Sequence, residues 1–412
     1  MRALIALVLL LSSLNGFSQE LPEKLTLPAL LRLVAERSPR LAVERVGIEA
    51  AEADRVTADV LPNPSISYGQ GRPSNGTPNT VISGNRQQQA GIELPLLIAG
   101  QRSARVEVAE QGVLGARARV AQAASEIALR AAELFAGLQS AQEKSSALAE
   151  AQTEIERAAT LVSGRLDSGM ASRYDLARVE LEVAAISVRL AEARADAAEK
   201  SAGLAALLGA PGWRPRAEGV LAPTGVAGEL PALRASVAAG NPQIASARSE
   251  ENVARAAVQR AERERWPVPV LSMGRTWTSD PFGAANFIGI TTEVPILDSR
   301  RGQLEKAQAE LRAAERRREA IEAEIGVELG RLVAALAERR AALERFERRI
   351  DVRSPALRQM AEDAYRLGRS TVLELIDASR TRVDARVTGI DLRAFTVQQE
   401  LRILALTGGL GR

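Results

Sequence analysis

The stretch SGRLDSGMASRYDL, residues 163–176, interrupts roughly a hundred residues that otherwise read as helix, and AYRLGRSTVLELID, residues 364–377, repeats the interruption about two hundred residues later. Each stretch carries a glycine, Gly169 or Gly368, then hydroxyl residues, then an acid. Glycine accepts the left-handed backbone that ends a helix. Ser172 or Asp175 in the first stretch, and Ser370 or Thr371 in the second, can cap the helix that follows. Both stretches therefore read as the turns of long helical hairpins.

The rest of the chain repeats in the same way. LPALLRLVAERSPRLAVERVGIEAAEA (27–53) matches LPALRASVAAGNPQIASARSEENVARA (230–256). LPNPSISYG (61–69) matches WPVPVLSMG (266–274), and IELPLLIAGQR (92–102) matches TEVPILDSRRG (292–302). The pairs are collinear, and two are anchored by prolines. Chance likeness between alanine-rich helices does not produce that order, so the chain reads as two copies of one structural half.

Each half has one layout. A helix of about thirty residues begins near Leu27 or Leu230 and stops at Pro62 or Pro267, because proline lacks the N–H donor and restricts the residue before it. Two strand-like segments follow, near 65–70 and 88–96 in the first half and near 269–278 and 286–296 in the second. Loops rich in Gly, Pro, Asn and Ser separate them. The helical hairpins then run over 102–208 and 302–407. Leu176, Val179, Val183, Ile186 and Leu190 recur at three-four spacing, as do Ile325, Leu329, Leu332 and Leu336, continued by Leu343, Phe346 and Ile350. Val383, Val387, Ile390, Ala394, Val397 and Leu401 repeat the pattern, which is that of coiled-coil packing. A helix of about sixty residues is on the order of 90 Å long, beyond an ordinary globular core. The fold class is mainly α with a small β part. The expected domains are a leader at 1–18, a first repeat at 19–220 and a second at 221–412.

Composition agrees. Aromatics are only 3% of the 412 residues, which suits close-packed alanine-rich helices. The chain has no cysteine and no histidine, which removes disulfides, thiolate and imidazole metal sites, Cys lipidation and every His-based triad. No metal site, cofactor or catalytic set is indicated, and no glycine-rich phosphate loop follows a strand. The net charge of +3 comes with acids and bases alternating along helices, as in AERRREAIEAEIGVE (314–328). That is a solvated helix face rather than a nucleic-acid stripe, so no nucleic-acid partner is expected.

The N-terminus, MRALIALVLLLSSLNGFSQE, has a basic residue, an apolar run from Ala3 to Leu11 and then small polar residues. It reads as a secretory signal cut after Ser18. No later run of eighteen apolar residues exists, so no transmembrane helix is expected. Four strands per chain leave open edges that need closing. In lipid the non-helical solution is a closed barrel. Three chains supply twelve strands, and a cyclic trimer removes every edge. Tyr68, Trp266, Trp277, Phe282 and Phe287 lie in or beside the strands, where a barrel places interfacial aromatics against outer-membrane lipid.

This pattern resembles the outer membrane efflux protein family, the TolC-like channels of Gram-negative bacteria, over nearly the whole mature chain. The resemblance rests on the duplicated helix–strand–strand–hairpin order, the LPNP exit from the first helix, the ELPL and EVPI ends of the second strands, and the paired tips. ADVLPNPSISYG with GIELPLLIAGQRSARVEVAE looks most like the CzcC-like subgroup that serves heavy-metal efflux. The resemblance implies a homotrimer with a twelve-stranded barrel in the outer membrane and an α-helical barrel, or tunnel, in the periplasm. It implies a periplasmic adaptor (membrane fusion protein) and an inner-membrane pump of the RND type as partners, and a passive exit duct rather than an enzyme. Heavy-metal cations or small toxic compounds are the expected cargo. A type I protein secretion duct and a soluble periplasmic coiled-coil scaffold or adaptor are the alternatives.

The resemblance also assigns the tips. In the family an Arg-Leu-x-Ser-Gly pattern contacts the adaptor. Arg165, Leu166, Asp167, Ser168 and Gly169 match it outright, and Leu367, Gly368 and Ser370 match the second tip more loosely. Acids at the positions of Glu374 and Asp377 line the entrance gate, where two aspartates are usual. Positions i and i+3 share a helix face, and threefold repetition would stack them as acidic rings that favour cations. The alternative is that both acids merely complement a helix N-terminus. Tyr365 and Arg366 are candidates for holding the gate shut.

Overall fold

The structure, a computed structural model, describes residues 21–71, 87–225, 229–278, 283–348 and 354–410, with backbone alone at 354–358. The expected leader at 1–18, the loop between the first two strands, Phe282 and Ile350 lie outside the described residues.

The elements follow one another as two like series. β1 (Lys24–Leu25), α1 (Leu27–Arg37), α2 (Pro39–Asp59), β2 (Ser65–Gly71), β3 (Gln87–Pro95), α3 (Gln101–Asp167) and α4 (Arg173–Leu207) form the first. β4 (Arg216–Ala217), α5 (Leu230–Gly240), α6 (Pro242–Glu264), β5 (Val270–Thr278), β6 (Ala284–Thr291), α7 (Arg301–Phe346), α8 (Ser354–Arg366) and α9 (Val372–Leu406) form the second. No helix among the described residues is long and apolar enough to cross a bilayer.

The helix that opens each series differs from expectation. It is two helices, broken at Ser38 and at Asn241, where ψ swings to 121° and 119°. Pro39 and Pro242 follow these residues and force the preceding backbone out of the α region. Each proline then sits in a first turn, where its missing N–H costs nothing. The Asn241 side chain accepts from the N–H groups of Gln243 and Ile244 at 2.9 and 3.0 Å, which caps α6. α7 widens to a π-type turn at Glu347 and Arg348.

The chain falls into two compact units. One comprises 43–123 and 240–326 and holds a four-stranded antiparallel sheet in the order β2-β3-β5-β6. Its register aligns Ile66, Ile92, Met273 and Ile288 in one row across all four strands. The next rows on that face are Leu94, Leu271 and Ile290, and then Tyr68, Ala90, Arg275 and Asn286. The other face carries Ser65, Glu93 and Ser272 in one row, and Gly69, Gln89 and Thr276 in another. Because side chains alternate along a strand, the sheet has one apolar and one polar face. The apolar face is open: Ile66 is 82% exposed and Ile288 77%. The outer edges of β2 and β6 pair with nothing among the described residues.

Between the polar rows, Gly91 and Gly274 face each other and Phe287 lies across them. A Cβ on Gly274 would meet Phe287 Cζ at 2.6 Å and Gly91 Cα at 2.8 Å, and would also strike the Ala90 carbonyl. Only glycine admits the ring there.

The other unit comprises the described parts of 1–42, 124–239 and 327–412. β1 and β4 pair in parallel, and the Trp213 indole N–H donates to the Pro22 carbonyl at 3.0 Å. One core joins Ala132, Ala136 and Leu221 to Ile390, Val397 and Leu401. A second joins Ile155, Val162, Val179 and Ile186 to Tyr365, Val372, Leu375 and Val383. The three-four residues of α9 thus enter both cores, and those of α4 the second, as their spacing requires.

Candidate functional site

Both hairpin turns are built alike. α3 ends with Gly169 at φ +73°, whose N–H donates to the Leu166 carbonyl at 2.9 Å, while the Met170 N–H donates to the Arg165 carbonyl at 2.7 Å. α8 ends with Gly368 at φ +70°, whose N–H donates to the Tyr365 carbonyl at 3.0 Å, while the Arg369 N–H donates to the Ala364 carbonyl at 2.8 Å. These paired bonds absorb the last carbonyls of each helix.

The following helices start with reciprocal caps. Ser172 Oγ accepts from the Asp175 N–H at 3.1 Å, and the Asp175 carboxylate accepts from the Ser172 N–H at 2.9 Å. Thr371 Oγ1 accepts from the Glu374 N–H at 3.3 Å, and the Glu374 carboxylate accepts from the Thr371 N–H at 2.9 Å. Both are capping boxes. Of the capping residues named by sequence, Ser172 and Thr371 take the role. Hydrogen bonds from the Ser172 backbone and hydroxyl hold the Asp175 carboxyl below its usual range. Glu374 is thus a structural acid at the start of α9. Asp377 lies one turn on, also exposed, and its charge acts on Arg380.

The tips meet through Arg165. Its Nη1 donates to the Tyr365 carbonyl at 2.6 Å, and the guanidinium carbon stands 4.8 Å from the centre of the Tyr365 ring. Tyr365 is 4% exposed. Burial pushes its hydroxyl pKa up, and the Arg165 charge partly opposes that. Leu166 is half-buried, whereas Asp167, Ser168, Gly169, Arg366, Leu367 and Gly368 are exposed. The Ser168 hydroxyl donates to carbonyls of its own helix end. Ser370 keeps its hydroxyl buried without a hydrogen bond.

Above the tips, α9 is tied to α3 by ion pairs. Arg382 pairs with Glu154, Arg386 with Glu150, and Arg393 with Glu143. As one number rises the other falls by the same step, so the helices run antiparallel in fixed register. Lys144–Asp391 and Arg402–Glu133 continue the ladder. Arg386 holds the Glu150 carboxyl below its usual range, and burial lowers the Arg382 pKa. Glu182 of α4 is 4% exposed and accepts from Arg380 of α9, with Nε at 2.6 Å. Sequence reasoning missed this buried acid, since Glu182 sits among solvated charges in the linear chain. Its signal was its place beside Val179, Val183 and Ile186 on the apolar stripe of α4.

Among the described residues no group of His, Cys, Asp and Glu is arranged to hold a metal ion. The sheet's apolar face is bordered by Tyr68 and by Trp277, over which Arg275 stands at 5.7 Å.

The sequence model of a family described as outer membrane efflux protein matches residues 30–210 and 233–409. The cobalt-zinc-cadmium resistance protein CzcC of Cupriavidus metallidurans is 25% identical, over 95% of this chain and 92% of its own length. The nickel-cobalt-cadmium resistance protein NccC of Alcaligenes xylosoxydans xylosoxydans is 27% identical, over 72% of this chain and 66% of its own. The outer membrane protein VceC of Vibrio cholerae superposes with a TM-score of 0.76 at 17% identity, covering 94% of this chain and 97% of VceC.

Proposed function

We propose that this chain, which belongs to the outer membrane efflux protein family, is the passive exit duct of a tripartite pump that expels heavy-metal cations. The observation that carries this reading is the sheet: four strands with an open apolar face, a polar opposite face and two unpaired edges. Such a sheet is unstable alone and complete only when its edges are paired and its apolar face is in lipid. Three copies close it as twelve strands, with β6 of each copy beside β2 of the next. The polar rows then line a lumen.

In this reading each chain is two tandem structural repeats exported by the 1–18 leader. The tips point into the periplasm, where Arg165–Gly169 and Leu367–Ser370 meet a periplasmic adaptor, and an RND pump supplies the energy. Asp377, with Glu374 beside it, forms the acidic gate that favours cations. Metal cargo is favoured by the names of CzcC and NccC. The chain has neither cysteine nor histidine, so in this reading metal cations pass without dedicated thiolate or imidazole ligands.

The test is fractionation of cells making the full chain. A heat-modifiable trimer in the outer-membrane fraction is expected. A monomer in the soluble periplasmic fraction would contradict the duct.

A further inference from the structure

We propose that the edge strands of two copies meet in one fixed register, Ser67 of one copy opposite Thr291 of the other, and that Val60 and Leu61 of the first copy fill the groove beyond β6 of the second. This rests on the trimer of the reading above and goes beyond it by naming the residues that meet.

The chain already makes this contact once, between its own halves. β3 of the first half pairs with β5 of the second, with Glu93 opposite Ser272 and Ile92 opposite Met273. Beyond the strands, the Leu96 N–H donates to the Pro269 carbonyl at 2.7 Å, and Gln101 Nε2 donates to the Trp266 carbonyl at 3.3 Å. When a duplicated chain closes on copies of itself, the end of its second half meets the start of the next first half. β6 then stands to β2 of the next copy as β3 stands to β5.

Geometry fixes which residues are twins. A Cβ on Gly91 would stand 3.3 Å from Ser67 Oγ, and one on Gly289 would stand 3.1 Å from Ser272 Oγ. Gly289 is therefore the twin of Gly91, Ser272 that of Ser67, and Thr291 that of Glu93. The turn beyond the strand agrees. The Leu96 carbonyl accepts from the Ile98 N–H at 3.1 Å, and the Val294 carbonyl accepts from the Ile296 N–H at 2.8 Å. Carrying the β3–β5 register across puts Ser67 opposite Thr291 on the polar face and Tyr68 opposite Ile290 on the apolar one, so the faces continue unbroken. The Val294 N–H then reaches the Pro64 carbonyl of the other copy. The likeness of IELPLL to TEVPIL in the linear chain would instead equate Glu93 with Glu293 and slide the seam by one side-chain pair.

Exposure marks the same seam. Leu96 and Leu97, lying against the second half, are half-buried. Their counterparts beyond β6 are bare, with Val294 67% exposed and Ile296 81%. Trp266, Pro267, Val294, Pro295, Ile296 and Leu297 line an open groove of about 710 Å³ there. Val60 and Leu61 are exposed at the end of α2, and they precede Pro64 as Arg265 and Trp266 precede Pro269. Their burial in this groove removes apolar surface on both sides from water.

The experiment is disulfide trapping in the full chain, which has no cysteine of its own. Facing residues on paired strands have Cα atoms about 4.5–5.5 Å apart, within disulfide reach. β2 and β6 are opposite edges of one sheet, so a bridge between them joins two copies. The detergent-purified protein is oxidised with copper phenanthroline and run on a denaturing gel without reductant. Ser67→Cys/Thr291→Cys is expected to shift most of the chain to covalent dimer and trimer, reversed by dithiothreitol. Tyr68→Cys/Ile290→Cys is expected to do the same, and it carries the test if the first pair does not assemble. Ser67→Cys/Glu293→Cys stays at the level of the single variants. Trapping of the Glu293 pair in preference, or of none of the pairs, in protein that is a trimer before oxidation overturns the register and leaves the duct standing. A monomer before oxidation overturns the duct reading and the seam with it.

Discussion

Single residues in this chain are fixed by what their backbone or neighbours permit. Gly274 has the Phe287 ring and the Ala90 carbonyl where a side chain would go, while Gly69 has nothing within 4 Å. Gly274→Ala should cost about 1–3 kcal/mol by overpacking, and Gly69→Ala should be near neutral. Urea unfolding of the detergent-solubilised protein distinguishes them, and equal losses would refute the close approach. Ser172→Ala and Thr371→Ala should each cost about 1 kcal/mol as lost caps. The first cap also responds to pH. The folded pKa of Asp175 lies below its ordinary 3.8, so its contribution is full above that value and disappears as pH falls through the lowered one. Acid should therefore loosen the first tip, and Asp175→Asn should flatten that dependence in exchange rates at Leu176, whereas Ser172→Ala, which keeps the backbone N–H bond, should only reduce it. Gly100 and Arg300 occupy matching positions of the two repeats, at φ +77° and +52°. An arginine there is strained by roughly 1–2 kcal/mol. Its N–H donation to Asp298 at 2.8 Å and its guanidinium bond to the Glu264 carbonyl offset the strain.

Helices and strands show how far the linear chain could be read. The strands were legible because alternation and flanking prolines are local signals: Ile66, Tyr68, Ile92 and Leu94 state the apolar face outright. The tips were legible because a left-handed glycine followed by a cap is also local. The breaks at Ser38 and Asn241 are masked in the sequence, despite Pro39 and Pro242, because apolar spacing continues across them. The Arg165–Tyr365 contact was hidden, since a sequence separation of 200 residues carries no pairing signal. Nothing in the linear chain joins Arg165 of the first tip to Tyr365 of the second. The Glu182–Arg380 pair was hidden in the same way, and it yields an asymmetric prediction. The Glu182 side chain is 5% exposed and that of Arg380 55%. Arg380→Ala strands a buried carboxylate and should cost about 3–5 kcal/mol. Glu182→Ala leaves an arginine that can turn to water and should cost clearly less. Equal costs in thermal unfolding would argue against a buried, obligatory pair.

At the scale of the whole molecule, the proposed function rests on parts that a single chain leaves unfinished. The unpaired β2 and β6 edges and the apolar sheet face support closure by further copies in lipid. In the proposed trimer, Glu374 and Asp377 would repeat three times as stacked acidic rings. On the proposed gate, the Glu374 carboxylate is held at the helix start by the Thr371 N–H, so the freer Asp377 is expected to carry more of the selectivity. The measurement that tests the account most directly is single-channel conductance of the purified protein in a planar bilayer, compared with Asp377→Ala and Glu374→Ala across a salt gradient. The account predicts a small, cation-selective wild-type conductance. Asp377→Ala should enlarge it and remove most of the selectivity, with Glu374→Ala the weaker change. Pores indifferent to both substitutions would contradict the acidic gate, and the absence of any pore would contradict the duct.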